Sequence, residues 1–355
     1  PENADNLKFI ETSLGVLCLD PPLDSSASQD VRAKHLLDGG GAQGSGANRW
    51  YDKFFEVVVA GEDTCGVLAE HSASEGVTVL RYCQDLLDFL NKGPACEVEP
   101  GSKAGTKVRS RVLKWTLTPA LSTAVHNACK DLDKLASNLD LKVLRFTDYG
   151  KELIKSKKTS PDVWVQLALQ LTFFSIHHRL GTTYESASLR QFRHGRVDNI
   201  RAATPEALLW AQAMEGKKLS LWHVFQPGDI KSLFQEAVRK QTEVLLYTIR
   251  GYGTDNHLVG LKEMARLHNL PEPQFFQDPL YKVYWDFKLA TSQLATNSGT
   301  LVGYGSVVPD GYGCSYTILD NEIIFCVTSF FNCPDTRSEL FAHILQQSLV
   351  RMLQF

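Results

Sequence analysis

The chain has 355 residues, 43% hydrophobic and 22% charged, with 37 Lys plus Arg against 40 Asp plus Glu. These proportions exclude a disordered, collagen-like or coiled-coil chain, and a net charge of −3 argues against a strongly basic nucleic-acid binder. At about 100–200 residues per domain, the length predicts two domains.

The sequence opens PENADNLKFIETSLGVLCLD, with no Met and no signal peptide, and runs straight into an apolar stretch that predicts a strand over 14–20. A helix is expected over 29–38, stopped by Gly39, Gly40 and Gly41. The glycine-rich loop 39–48 lacks a P-loop lysine and the G-x-G-x-x-G spacing, so it is not expected to cradle phosphate. Segments 54–59 and 65–69 predict a hairpin turning at 61–63, followed by a helix over 76–91. Residues 93–108 are rich in Gly, Pro, Ser and Lys and read as a linker. A strand is expected at 112–115. A helix opened by Thr118-Pro119 follows to 137, with Leu121, Val125, Ala128, Leu132 and Leu135 at helical spacing.

A strand at 141–146 precedes an apolar helix over 161–179, with Pro161 in its first turn. Further helices are expected over 204–214, 227–249 and 254–268. From 285 the pattern turns to strands at 285–293, 301–308, 313–319 and 322–330, and a last helix spans 335–353. Helices mixed with later strands predict an α/β or α+β chain with mixed sheets. No apolar stretch approaches the ~20 residues of a membrane span. The eight cysteines, Cys96 among them, form no C-x-x-C pair and no zinc-ligand spacing, and read as buried free thiols of a reducing cytosol.

Five stretches bear chemistry. In Glu70-His71-Ser72-Ala73-Ser74-Glu75-Gly76 a histidine follows a strand, with an acid four positions on. Alone it reads either as a structural histidine or as a general base on a rigid platform. The second combines 183–188 (TYESAS) with 192–201 (FRHGRVDNIR), either a salt-bridged polar surface or a site. The third is Ala290-Thr291-Ser292-Gln293, an ordinary strand end or a donor to an oxyanion. The fourth is a tight turn at Gly311-Tyr312-Gly313, after 307–310. The fifth, KELIKSKK over 151–158, has four lysines offset by one acid, either a solvated face or a phosphate site.

Taken together and in order, these stretches resemble the choline/carnitine acyltransferase family. The resemblance rests on NRWYDK (48–53), EHSASEG (70–76), YGKELIKSKKTSPD (149–162), QLALQL (166–171), TYESASLR (183–190), GRVDNIR (195–201), DNHLVGLK (255–262), TSQ (291–293) and VVPDGYG (307–313). It implies an α/β fold of two chloramphenicol-acetyltransferase-like domains, with mixed sheets flanked by helices and an active-site tunnel at their interface. The expected division is 1–116, the C-terminal part of a histidine-bearing domain, and 117–355, most of a second domain with the hydroxyl motif.

The resemblance also implies roles. His71 is the general base, Glu75 orients it, and Ser292 with Thr291 serves the oxyanion. Ala290 stands where the family has the first serine of Ser-Thr-Ser. Lys151 and Lys155 meet coenzyme A phosphate, with Ser160, Asp162, Glu185 and Gln293 near the same co-substrate. Tyr184 and Tyr304 line a trimethylammonium pocket, since quaternary ammonium prefers aromatic faces. Carnitine enzymes carry T-D-T-I-R and D-R-H-L; here the corresponding positions are Val197, Asn199 and Asn256. Without that arginine a carboxylate tail lacks its cation, so the three positions favour choline over carnitine. The implied reaction moves acetyl from acetyl-CoA to choline, giving acetylcholine, with no permanently bound cofactor, metal, nucleic acid or membrane span. The alternatives are carnitine as the alcohol, or a silent relative that keeps the fold. The expected setting is the nerve-terminal cytosol. The N-terminal half of the same enzyme is expected as a separate or missing segment, because the resemblance implies family members of about 600 residues or more.

Overall fold

Residues 2–92, 110–216, 229–296 and 299–355 are described by a computed structural model. The expected linker over 93–108 and Cys96 therefore lie outside the described residues, as does the start of the helix expected at 227. Two units are formed, Pro1–Ser137 and Asn138–Phe355.

The first unit runs α1 (Glu2–Glu11), β1 (Val16–Asp20), α2 (Gln29–Asp38), β2 (Phe55–Ala60), β3 (Cys65–Ala69), α3 (Gly76–Asn91) and α4 (Pro119–Asn138). Its sheet has the order β1-β2-β3, with β1 parallel to β2 and β2 antiparallel to β3. Local chemistry sets the boundaries of α2. The Ser28 side chain accepts from Val31 N–H, and Gly39 closes the helix at φ 63° while donating to His35 O. That left-handed φ is the reason glycine stands there.

The opening residues, for which no element was expected, form α1. One expectation fails in this unit. Residues 112–115 form no strand, because side chains of α1 bond that backbone in place of a neighbouring strand: Asn6 Nδ2 donates to Lys114 O at 2.6 Å, and Asn3 exchanges bonds with Thr116 at 2.8 and 2.9 Å. The apolar spacing of α4 does predict a helix, yet Val125 and Leu135 remain 49% and 69% exposed. Periodicity specifies a stripe without specifying what covers it.

The second unit contains β4 (Leu139–Phe146), α5 (Lys151–Ser156), α6 (Pro161–His177), β5 (Thr183–Ser188), β6 (Val197–Asn199), α7 (Pro205–Met214), α8 (Ile230–Tyr247) and α9 (Asp255–Leu267). It continues through α10 (Gln274–Gln277), α11 (Pro279–Trp285), β7 (Leu289–Gln293), β8 (Tyr312–Ile318), β9 (Ile323–Phe330) and α12 (Ser338–Arg351). The strand order is β4-β9-β8-β7-β5-β6, with parallel pairs at β8–β7 and β7–β5 and antiparallel pairs elsewhere. Both sheets are therefore mixed and flanked by helices, as expected.

Helix α6 is buried without a break from Val163 to Phe174 and forms the centre of the core with α7, α8 and α12. Strand alternation assigns the two faces of the sheet. Tyr312, Cys314, Tyr316 and Ile318 join the helix-side core with Ile323, Phe325 and Val327. Gly313, Ser315, Thr317 and Thr328 take the other face. Residues 301–308 lie across that face rather than forming the expected strand. They are tied down by Thr328 Oγ1 donating to Tyr304 O at 2.7 Å and by Ser315 Oγ donating to Val302 O. Gly313 leaves room for this crossing, since a Cβ there would lie 2.5 Å from Thr328 Oγ1 and 3.2 Å from Gly305 backbone. No helix among the described residues is long and apolar enough to cross a membrane. Of the seven described cysteines, all free, Cys18, Cys314, Cys326 and Cys333 are buried, whereas Cys65 is exposed, against the expectation of a buried thiol.

Candidate active site

In the first unit, Glu70 N–H donates to Phe54 O at 2.9 Å and carries the β2–β3 ladder one residue beyond β3. His71 is thus set at the strand end. Its Nε2 lies 3.7 Å from Glu75 Oε2, with side-chain exposures of 69% and 16%. Glu75 precedes the first turn of α3, where the helix dipole favours a negative charge. The intervening turn is braced: Glu70 accepts from Ser72 N–H at 3.0 Å, and Ser74 Oγ donates to Thr78 Oγ1 at 2.8 Å.

The NRWYDK stretch organises structure in the same unit. Arg49 donates to both oxygens of Asp20, at 2.7 and 3.1 Å, and Asn48 Nδ2 and His35 Nε2 each lie 2.9 Å from the same carboxylate. Burial alone would raise the Asp20 pKa; the hydrogen bonds from Arg49, Asn48 and His35 outweigh it and bring it down to about 2. Lys53 Nζ donates to Glu11 O and Ser13 O, both at 2.8 Å, closing the C-terminal end of α1.

In the second unit, β7 presents Thr291 and Ser292 to opposite faces, as alternation requires. Thr291 is 1% exposed; its Oγ1 donates to Tyr184 O at 2.8 Å and accepts from Gln166 Nε2 at 2.9 Å. Its hydroxyl therefore joins β7 to β5 and α6. Ser292 is half-buried and faces away from α6 with Ala290 and, on the adjacent β5, Tyr184, Ser186 and Ser188.

A buried polar layer lies behind these strands. Gln166 Nε2 also donates to Tyr316 Oη at 2.9 Å, and Tyr316 Oη donates to Asp162 Oδ1 at 2.6 Å. Gln241 Nε2 of α8 donates to Glu185 Oε2 at 2.6 Å. Glu185 is 4% exposed. Burial, then the neighbouring Asp162, pushes its carboxyl well above the usual range, and burial raises Asp162 as well.

The residues expected to favour choline gather at β6 and α9. Asn256 Nδ2 donates to Val197 O at 2.8 Å. Asn199 is buried; its Oδ1 accepts from Glu185 N–H and its Nδ2 donates to Asp255 Oδ2, both at 2.9 Å. Asp255 also binds Arg201 bidentately at 3.1 and 2.7 Å, and the guanidinium lies 3.5 Å from the Tyr284 ring centroid. Tyr184 packs on Phe287 with ring centroids 5.5 Å apart, and Tyr304 Oη donates to Ala290 O at 2.9 Å.

Lys151 begins α5 and pairs with Asp320 at 2.7 Å, and Lys157 Nζ donates to Leu353 O at 3.0 Å. The basic stretch is thus partly offset, while Lys155 and Lys158 remain exposed. Ser160 precedes the first turn of α6 without a capping bond from its hydroxyl, and Gln293 is exposed at the end of β7.

Residue-by-residue reading gave no role to Gln166, Gln241, Tyr316, Asp255 or Arg201. One signal was available: Gln166 and Gln170 are the glutamines of an otherwise apolar run, four residues apart, so both must find partners on one side of a buried helix. Gln241 and Tyr316 carry no comparable signal, because their partners are more than fifty residues away in sequence.

Comparison with known proteins identifies relatives of the chain. A choline O-acetyltransferase from Danio rerio is 40% identical over 351 residues, covering 99% of this chain and 54% of the relative. That of Homo sapiens is 39% identical, covering 99% and 46%. A carnitine O-acetyltransferase from Columba livia is 32% identical over 354 residues, covering 99% and 55%. The chain spans about half the length of the curated relatives it matches. The Choline/Carnitine o-acyltransferase family matches residues 1–347, from the first helix into α12, and so takes in every stretch built up above: the chain belongs to that family.

Proposed function

We propose that this chain forms part of a choline O-acetyltransferase. In this reading the choline hydroxyl gives its proton to His71 as its oxygen attacks the acetyl-CoA carbonyl. Glu75 orients the imidazole. The tetrahedral oxyanion accepts a hydrogen bond from Ser292, and its collapse expels the coenzyme A thiolate, which recovers the proton from His71. Base and two substrates suffice, so no acyl-enzyme forms. Thr291 acts as a positioning residue, since its hydroxyl is engaged by Tyr184 O and Gln166. Lys151 and Lys155 take the coenzyme A phosphate, with Ser160, Asp162, Glu185 and Gln293 near the same co-substrate. Tyr184 and Tyr304 face the trimethylammonium group, and Val197, Asn199 and Asn256 discriminate the alcohol. A further segment of the same enzyme, matching the additional length of the relatives, completes the activity, in the cytosol of nerve terminals. The two-domain division at 116/117 belongs to this reading.

One observation carries the preference for choline. At the β6–α9 junction the position that would hold an arginine is Asn256, and the nearby Arg201 is already neutralised by Asp255. No unpaired cation is thus contributed by these residues for a carboxylate tail. The test is acetyl transfer from acetyl-CoA to choline and to carnitine by the full-length protein. Choline is the expected acceptor. The triple variant Val197→Thr, Asn199→Thr, Asn256→Arg is expected to move the ratio of kcat/KM toward carnitine. Transfer to carnitine alone in the wild type, or transfer to neither, would overturn the reading. An unchanged ratio in the triple variant would remove the pocket assignment.

A further inference from the structure

The neutral residues at the β6–α9 junction are bonded into one circuit. Both backbone polar groups of Glu185 on β5 end on residues 199–200. Its N–H donates to Asn199 Oδ1 at 2.9 Å, and its carbonyl accepts from Ile200 N–H at 2.8 Å. Asn199 Nδ2 in turn donates to Asp255 Oδ2 at 2.9 Å, at the first residue of α9. The orientation of this amide is fixed by its partners, since a backbone N–H needs an acceptor and a carboxylate needs a donor. Asn199 and Asp255 are 4% and 3% exposed, so neither bond can be handed to bulk water.

The circuit continues beyond Asp255. Its carboxylate takes Arg201 bidentately, Arg201 Nη1 donates to Tyr284 O at 2.6 Å, and Tyr284 Oη donates back to Asp255 Oδ1. The Arg201 guanidinium carbon also lies 4.9 Å from the ring centroid of Phe287, on which Tyr184 packs at 5.5 Å. The contacts therefore run from Glu185 through Asn199, Asp255, Arg201 and Phe287 back to Tyr184, the neighbour of Glu185 on β5. Within this circuit the first turn of α9 is drawn against β6. Asp198 Oδ1 accepts from Asn256 N–H at 3.2 Å, and Asn256 Nδ2 donates to Val197 O at 2.8 Å. Gly253 permits the approach, because a Cβ there would lie 2.2 Å from Asp198 Oδ2.

We propose that Asn199 is a positioning residue for alcohol selectivity: its amide spans β5 and α9 and so sets where Asn256 stands relative to Tyr184. The residue at 199 then acts through 256 rather than by touching the alcohol, an inference that rests on the transferase reading. A threonine at 199 has one hydroxyl oxygen, one bond closer to the backbone, for two partners that asparagine meets with separate atoms. Either the first turn of α9 moves toward β5 or it loses its tie to β5, and residue 256 shifts with it in both cases. Asn199→Thr and Asn256→Arg are therefore not independent changes.

Two measurements on the full-length protein test this, one with substrates and one without. The ratio of kcat/KM for choline to that for carnitine is measured in the wild type, Asn199→Thr, Asn256→Arg and the pair. The change in the pair is expected to differ from the product of the two single changes by about tenfold. A pair equal to that product overturns the proposal. Equilibrium denaturation then reads the tie itself. Asn199→Asp sets two buried carboxylates against each other, and Asp255→Asn lacks the second oxygen needed to accept from both Asn199 and Arg201, so each should lower the midpoint. Combined, they exchange amide and carboxylate and restore a donor to an acceptor between 199 and 255. The pair should regain most of the lost midpoint, together with the wild-type preference between the alcohols. Losses that simply add refute the tie, and a regained midpoint without the regained preference refutes the positioning role. If a single variant does not fold, recovery of folding in the pair gives the same answer, and an unfolded pair refutes the tie. Transfer to neither alcohol by the wild type defeats the transferase reading, while the denaturation cycle, which uses no substrate, still decides the tie.

Discussion

The two units hold their candidate catalytic groups in opposite ways. His71 stands on an exposed turn, touched at 3.7 Å by a carboxylate from the next helix. Ser292 and Tyr184 stand on strands whose other face is fixed by a layer of buried hydrogen bonds. The difference matches the tasks proposed for them. A general base must exchange protons with what it meets, whereas an oxyanion donor acts through being pre-oriented. The buried carboxyls extend the contrast. Asp20 faces an arginine, which holds its carboxyl low, while burial and the neighbouring Asp162 push the Glu185 carboxyl up. Burial raises the stakes in both places, and the partner sets the sign.

The largest expected effect comes from the exposed side. His71→Ala should lower acetyl transfer by about 10²–10⁴-fold, with an unchanged denaturation midpoint because the side chain is mostly solvated. A shifted midpoint with retained activity would reverse the contrast. Next, Arg49→Met should cost about 3–5 kcal/mol of stability, because it takes the bidentate cation from the buried Asp20 carboxylate and leaves it only Asn48 and His35; equilibrium unfolding reads this directly. Ser292→Ala should lower kcat by about 10²–10³-fold without loss of fold. Gln166→Leu removes donors to two buried hydroxyls and should cost about 1–3 kcal/mol. It should lower kcat while leaving the pH profile of activity in place, since it acts on the braced strands and not on the base.

The smallest effects concern pH, and there the units should part. The stability that Asp20 contributes is present above the ordinary carboxylate pKa and is lost as pH falls through about 2. Glu185 has a raised pKa, so stability declines as pH rises. Asp20→Asn should therefore flatten the acid side of the stability curve and Glu185→Gln the alkaline side. Flattening of the same side by both variants would break the comparison.

Much of this was legible in the sequence. Helices over 29–38, 76–91 and 254–268 agree closely with α2, α3 and α9, because apolar spacing and terminal residues act locally. The position of His71 just past a strand was equally readable. Strand β5 was not, since TYESAS has little apolar content and is a strand only by virtue of β7 and β6 on either side. The 301–308 stretch failed in the other direction. It has the composition of a strand, but its backbone is tied by side chains of β8 and β9 across the face of the sheet.

By itself the sequence determined the local elements, the family motifs and the substitution of neutral residues at the positions that distinguish two alcohols. The tertiary structure decided which of those residues are engaged elsewhere. NRWYDK turned out to anchor Asp20, Thr291 to join strand to helix, and Arg201 to be bound by Asp255. The physical reason is that propensity and spacing act over a few residues. Hydrogen-bond satisfaction in a buried layer depends on partners such as Gln166 and Tyr316, which only folding brings within 2.9 Å of each other.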